Sequence, residues 1–329
     1  MLPEIHLEWV KETALGATSQ FTSLTRRKSF EQPAVEEVLE FCSAWPLRPF
    51  HSPALIRKFL TAFTSGPEMV FDIFLESERV ACAVLLDRVD NPGNNACLEV
   101  LALRPGEHVQ AVYELLLSEA KRSLPQSRAG IEATLHPDTP VGEEFFSDRG
   151  FVPSYGLFDM IKLSSNHRRI CAPEGYGWRT FEVSDLPALH ATLKEVFAQN
   201  PETSVPDFET MARDYAAGGV GANPYTLLLK GKDIVGFVKV ALQSHGSLAE
   251  PTSGFILGEI SIIGVTPSER GRGLGRVALS RALDELEQKG ATQFKLTVAA
   301  ANERALSMYQ SFGFTVNERS LCLLYSPVE

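Results

Sequence analysis

The stretch ERGRGLGRVALSRAL, Glu269 to Leu283, places Gly271, Gly273 and Gly275 among Arg270, Arg272 and Arg276, directly before a regular apolar stripe. Glycines tolerate positive φ and leave no Cβ between an anion and the backbone. The first N–H groups of a helix have no intrahelical acceptor, and they sit at the positive end of the helix dipole. A pyrophosphate is the kind of ligand such a cradle fits, with the arginines adding charge around it. Leu274 completes the run, so Arg270 to Arg276 is the candidate phosphate contact. Val277, Ala278, Ala282, Leu283 and Leu286 recur at helical spacing and predict the buried stripe that anchors the loop.

Other phosphate motifs do not fit. A dinucleotide fingerprint needs G-x-G-x-x-G and an acid at the end of the next strand, but here the glycines run G-x-G-x-G and TQFKLTV carries no acid. A Walker loop is absent from the sequence, so neither a nicotinamide cofactor nor ATP is supported.

The elements that must position this loop occur twice. In the first half, VFDIFLESERVACAVLL reads as a hairpin, ACLEVLALRP as a strand ending at Pro105, and EHVQAVYELLLSEAKRSL as a helix. AGIEATL then reads as a strand, and FFSDRGFVPSYGLFDMIKL as a short helix, a turn and closing strands. The second half repeats the order with YTLLLKGKDIVGFVKVAL, LGEISIIGVTP, LGRVALSRALDELEQKG, TQFKLTV and ERALSMYQSFGFTV. SSNHRRICAPEGY, between the halves, is the candidate linker. A tandem duplication accounts for this, with domains at 1–165 and 174–329. Where the second half has SERGRGLGR, the first has GEHVQAVYE, with a single glycine and no arginine.

With 329 residues and 44% hydrophobic content, the chain is long enough for two cores. A formal charge of -10 argues against bulk attraction to nucleic acid or an anionic membrane. Five cysteines without regular spacing read as buried thiols in a reducing compartment. The start, MLPEIHLEWVKE, lacks the pattern of an export signal, and no run of about 18 apolar residues occurs. The expected location is the cytoplasm. None of the seven histidines pairs at metal-ligand spacing on a helix or stands beside a cysteine, so no metal is expected.

VTPSERGRGLGRVAL followed by NERALSMYQSFGF resembles the acetyl-CoA-binding signature of the GCN5-related N-acetyltransferase (GNAT) superfamily. Arg270, Gly273 and Gly275 match its R-x-x-G-x-G/A loop. Asn302, Ala305, Tyr309, Gly313 and Phe314 match the downstream N-x-x-A-x-x-x-Y-x-x-x-G-F pattern. The motifs cover the second half, while the first resembles the family by element order alone, as in its tandem two-domain members. The resemblance implies an α/β (α+β) fold of two GNAT-like domains, each a mixed, mostly antiparallel sheet flanked by helices. Only the second is expected to bind acetyl-CoA and catalyse; the first is a degenerate copy.

Acetyl transfer to an amine needs a deprotonated nucleophile, a donor to the developing oxyanion and an acid for the departing thiolate. Glu259, in GEISIIGV, stands where the family often places the base; an ordinary solvent-facing strand glutamate is the alternative. Ile263, Gly264 and Val265 offer backbone groups which, by the resemblance, pair with the pantetheine arm, the Val265 N–H polarising the thioester carbonyl. Gly264 interrupts a β-branched run and is expected to mark a bulge that opens a slot beside TQFKLTV. Tyr309 follows Asn302 by two helical turns. By the resemblance its phenol protonates the sulfur, and Asn302 meets the pantetheine amides or caps its helix. No G-x-S-x-G elbow occurs, which favours direct transfer.

The acceptor region is expected in LHATLKEVFAQNPETSVPDFETMARDY, where Glu202, Asp207 and Glu209 could attract an ammonium group. The expectation is N-acetylation of a primary amine on a small molecule by a monomer or homodimer, without nucleic acid or membrane. A CoA-binding sensor without catalysis and an acyltransferase using a longer acyl-CoA are the alternatives.

Overall fold

A computed structural model describes residues 21–27, 32–46, 69–75, 77–86, 94–163, 167–198, 200, 203, 205–216, 224–243 and 256–327. The first half contributes β1 (Phe21–Arg27), α1 (Gln32–Ala44), β2 (Met69–Leu75), β3 (Glu78–Leu86), β4 (Asn95–Leu103), α2 (Val109–Ser123), β5 (Gly130–Leu135), α3 (Glu143–Ser147) and β6 (Phe151–Lys162). The second contributes β7 (Tyr176–Thr180), α4 (Leu186–Phe197), α5 (Phe208–Ala216), β8 (Thr226–Lys230), β9 (Asp233–Gln243), β10 (Leu257–Val265), α6 (Leu274–Gln288), β11 (Gln293–Ala299), α7 (Glu303–Ser311) and β12 (Thr315–Tyr325). FFSDRGFVPSYGLFDMIKL, expected to close in more than one strand, ends in the single strand β6.

Among the described residues, twelve strands join one sheet, in the order β1-β2-β3-β4-β5-β12-β6-β11-β10-β9-β8-β7. Among the described strands, only β4 with β5 and β10 with β11 run parallel. The two halves exchange their last strands. β12, from the end of the chain, pairs with β5 from Leu321↔Leu135 to Tyr325↔Ile131, while β6 pairs with β11 from Phe294↔Lys162 to Ala299↔Leu157. Separating the chain between β6 and β7 would therefore remove a strand from the middle of each half's sheet.

Helices α6 and α7 cover one face of the second half. Ala278, Leu279, Ala282, Leu283 and Leu286 meet Phe294 and Leu296 of β11, Val238 and Val240 of β9, and Met160 of β6. Leu283 is fully buried, so truncation to Ala there would cost about 2–5 kcal/mol. Helices α4 and α5 cover the opposite face, where Leu189, Leu193 and Met211 pack with Phe237. Phe237 and Val238 are successive on β9 and point to opposite faces, so both helical layers use one strand.

The connecting segment is pinned along α6. The Ile170 N–H donates to Ser280 Oγ at 2.9 Å, and Arg169 Nε lies 2.9 Å from Asp284. His167 places Nε2 3.3 Å from Asp284 and Nδ1 3.0 Å from Glu287. This trio could in principle hold a metal ion, but its two ring nitrogens already face one carboxylate each. No helix among the described residues is long and apolar enough to cross a membrane.

Candidate functional site

The site begins where β10 leaves β11. The two strands pair only at Leu257↔Gln293, Gly258↔Phe294 and Glu259↔Lys295. Beyond Glu259, β10 continues on β9 and β11 continues on β6. A gap therefore opens between adjacent parallel strands. The Thr266 N–H donates to Val235 O at 2.9 Å, which makes Val265↔Gly236 a non-hydrogen-bonded pair. By the same alternation Ile263↔Val238 is another, so the peptide groups of Ile263 and Val265 point away from β9 and into the gap.

The register shift that bends β10 falls between Ile260 and Ile262, not at Gly264. Gly264 is required for space instead. A Cβ there would stand 2.6 Å from Phe237 Cζ and 2.7 Å from Val196 Cγ1, contacts that real side chains do not make.

At the end of β10, a short 3-10 turn at Pro267–Glu269 leads into the loop. Gly271 and Gly273 have φ of 83° and 79°, the left-handed conformation, and a Cβ on either would meet nothing within 4 Å. Gly273 is the N-cap of α6, with no side-chain cap. Among described residues, no backbone acceptor is recorded for the N–H groups of Arg272, Gly273, Leu274 and Gly275. Open space in front of such donors at a helix N-terminus suits phosphate oxygens. Gly275 plays a different part from the other two: a Cβ there would stand 3.2 Å from Met308 Sδ, so it lets α7 approach α6.

The three arginines, expected around one anion, point three ways. Arg270 donates to Val265 O at 3.2 Å and to Val196 O at 2.9 Å, tying the strand end to the end of α4. Arg272 lies 3.2 Å from Glu269. Arg276 donates to Ser311 Oγ at 2.6 Å and stacks over Phe312, at the loop's border with α7.

Glu269, which the sequence did not single out, holds this corner together. Its buried carboxylate accepts from Tyr176 OH at 2.6 Å and from Lys230 Nζ at 2.8 Å as well as pairing with Arg272. The Lys230 ammonium and the Tyr176 hydroxyl hold that carboxyl below the usual glutamate range. No pattern in the sequence marks an acid in a basic loop whose partners lie on β7 and β8.

Helix α7 forms the other wall. Asn302 caps it, Oδ1 accepting from the Ala305 N–H at 3.2 Å. Tyr309 lies two turns further, buried against Phe314 and in the same apolar cluster as Ile263 and Ala305. Burial pushes its phenol up to about 12, so it keeps its proton at neutral pH.

Glu259 stands on the opposite face. A Cβ on Gly258 would strike Leu286 of α6, and Ile260 packs in the α6 cluster, so alternation turns Glu259 away from α6. The structure thus brings the loop, the β10 end and Tyr309 to one face of the gap and Glu259 to the other. Of the acceptor-region acids, Asp207 serves α5, accepting from Thr210 N at 2.9 Å and Thr210 Oγ1 at 2.8 Å, while Glu209 is exposed. Glu202 lies outside the described residues.

Residues 188–314 match the acetyltransferase (GNAT) family model. A mycothiol acetyltransferase of Thermobispora bispora is 28% identical over 249 residues, 74% of this chain and 80% of that protein. One of Renibacterium salmoninarum is 27% identical over 278 residues, 82% and 76%. Among solved structures, a tandem GNAT protein from the clavulanic acid biosynthesis pathway superposes with a TM-score of 0.66 at 14% identity, covering 93% of this chain and 99% of its own. A GCN5-related N-acetyltransferase from Sphaerobacter thermophilus gives 0.62 at 16% identity, covering 92% and 95%. These two share the fold.

Proposed function

We propose that this chain, whose second half carries an acetyltransferase domain of the GNAT family, moves an acetyl group from acetyl-CoA directly to a primary amine of a small molecule. One observation carries the reading: the gap between β10 and β11 runs from inward-facing peptide groups to a left-handed glycine loop at a helix N-terminus. An arm ending in a pyrophosphate has that shape. Relatives named mycothiol acetyltransferases support a small-molecule acceptor.

Acetyl-CoA supplies the acetyl group as an activated thioester. The N–H groups from Arg272 to Gly275 would hold the pyrophosphate, with Arg272 and Arg276 at its edges, and Ile263 and Val265 would hold the arm. The Val265 N–H stabilises the oxyanion as the amine nitrogen bonds to the carbonyl carbon. Glu259, six residues before Val265 on β10, would take the amine proton through water rather than by contact, from the face opposite α6. Tyr309 donates its proton as the C–S bond breaks and recovers one from solvent. Base and acid thus stand on opposite faces of the gap, so the nucleophile and the leaving thiol need not compete for space.

The test is release of free thiol from acetyl-CoA by the full chain with a panel of primary amines. Amine-dependent release, with the acetylated amine seen by mass spectrometry, is expected. Binding of acetyl-CoA with no amine-dependent release would favour the sensor reading, and faster turnover of longer acyl-CoA would change the donor. The domain limits at 1–165 and 174–329 stand as the proposed units of duplication.

A further inference from the structure

Arg270 joins two parts of the molecule that the sequence keeps far apart. Its backbone N–H donates to Pro267 O at 3.2 Å, so the 3-10 turn fixes where the residue stands at the entrance to the glycine loop. Its guanidinium then reaches backwards: Nε donates to Val265 O at 3.2 Å and Nη2 donates to Val196 O at 2.9 Å. Val265 ends β10, and Val196 lies in the last turn of α4. The last carbonyls of a helix have no intrahelical donor and sit at the negative end of its dipole. A guanidinium suits that end, because it adds charge to the hydrogen bond and its rigid fork serves two acceptors at once. The same end of α4 is packed on the strand: Val196 is buried, and it leaves no room for a Cβ at Gly264.

Each carbonyl belongs to a segment with its own task. Val265 turns its N–H and its C=O together towards the gap, so a donor that holds the carbonyl also holds the residue whose N–H is assigned to the oxyanion. Beyond Val196 the chain leads to α5 through the region expected to receive the acceptor. That connection is anchored at the same helix end, where the Asn200 N–H donates to Phe197 O at 2.9 Å. Before α5 it is held to α4 again, His190 Nε2 lying 3.0 Å from Pro206 O.

We propose that Arg270 is a positioning residue that joins the cofactor loop to the acceptor-side helix, so that CoA held by the loop also steadies the end of α4 and the connection to α5. What the loop holds rests on the acetyl-transfer reading. The link is short. A pyrophosphate on the N–H groups of Arg272 to Gly275 fixes the loop backbone, the backbone sets the root of the Arg270 side chain, and the guanidinium sets Val265 and Val196. Arg270 thus acts on the cofactor through the backbone and not as a phosphate contact. Its neighbours do not take its place, since Arg272 pairs with Glu269 and Arg276 with Ser311.

The experiment uses the full chain and coenzyme A itself, which needs no acceptor and is not consumed. Amide hydrogen exchange is followed by mass spectrometry with and without saturating coenzyme A, in the parent and in Arg270→Met. In the parent, coenzyme A is expected to slow exchange in peptides covering 271–276 and also, by about 10-fold, in peptides covering 190–198 and 205–216. In Arg270→Met the protection at 271–276 should remain, while that at 190–198 falls below about 2-fold. Arg270→Lys should lie between the two, because a single ammonium lacks the fork that holds both carbonyls. A merely structural brace gives a different result: exchange at 190–198 quickens in Arg270→Met by the same factor with and without coenzyme A, and the cofactor-dependent ratio stays as in the parent. That unchanged ratio, or a parent in which coenzyme A protects the loop and not α4, overturns the proposal. If Arg270→Met does not fold, Arg270→Lys decides, by whether its ratio falls below the parent's. Coenzyme A that protects no segment of the parent would overturn the cofactor reading, and this proposal with it.

Discussion

The two halves build the same junction and finish it differently. β4 and β10 are both nine residues long, and each pairs with a parallel neighbour at its start only, β4 leaving β5 after Leu98. Each ends two residues before a proline, Pro105 or Pro267. From there α2 starts at Val109, whereas α6 starts at Leu274 after the glycine loop. In register from the two prolines, Val109, Ala111 and Tyr113 stand where Gly271, Gly273 and Gly275 stand. Tyr113 is buried and packs edge-on against Phe145 and Phe146. The first-half gap is thereby reduced to a cavity of about 20 Å³ bordered by Glu99, Tyr113, His136 and Phe146, room for about one water. The frame is common to both halves. The second junction, proposed as the cofactor cleft, has a helix that starts late and carries glycines, where the first has a helix that starts early and carries a large side chain.

Breaking the comparison at the loop should have the largest effect. Gly273→Val forces a β-branched residue into a left-handed conformation, at about 1–3 kcal/mol, and puts a side chain in the cradle. Acetyl-CoA affinity is expected to fall about 100-fold, roughly 2.7 kcal/mol, by calorimetry. Converting the first half in the other direction should fail: Tyr113→Ala is expected to lose about 3 kcal/mol of stability by denaturant titration, yet to add no second acetyl-CoA. A second bound equivalent would mean that Tyr113 alone closes that cleft.

Tyr309→Phe sharpens the contrast between binding and chemistry. It removes the proton but keeps the packing, so kcat should drop about 10–100-fold while acetyl-CoA affinity changes little. An unaltered kcat would move the acid elsewhere. The smallest effect concerns Glu269. Its carboxyl is held low in the fold, so it stabilises above the unfolded glutamate value of about 4.3 and loses that contribution as pH falls through the lower folded value. Glu269→Gln should flatten the acid side of a Tm-against-pH curve, and an unchanged slope would remove Glu269 from that account.

The loop and its helix were legible in the sequence because they depend on local features. Helical periodicity located α6, and glycines ahead of it announced a loop with positive φ, as Gly271 and Gly273 show. Spacing along one helix put Asn302 and Tyr309 on one side. The strand exchange was not legible, because alternation tells which face a residue takes and not which strand lies beside it. That β6 lies beside β11 was invisible for that reason. Gly264 was read as a bulge because a glycine in a strand often marks one, whereas here it makes room for Phe237 and Val196. The arginines showed charge without direction, and only their partners reveal that Arg270 braces the backbone.

The proposed acetyl-CoA cleft lies at one of two similarly built junctions. Calorimetric titration of acetyl-CoA into the full chain, beside Gly273→Val, tests it most directly, since the isolated second half would lack β6. One equivalent per chain, lost or greatly weakened in the variant, is the predicted result. Two equivalents, no binding at millimolar cofactor, or an affinity indifferent to Gly273→Val would contradict it.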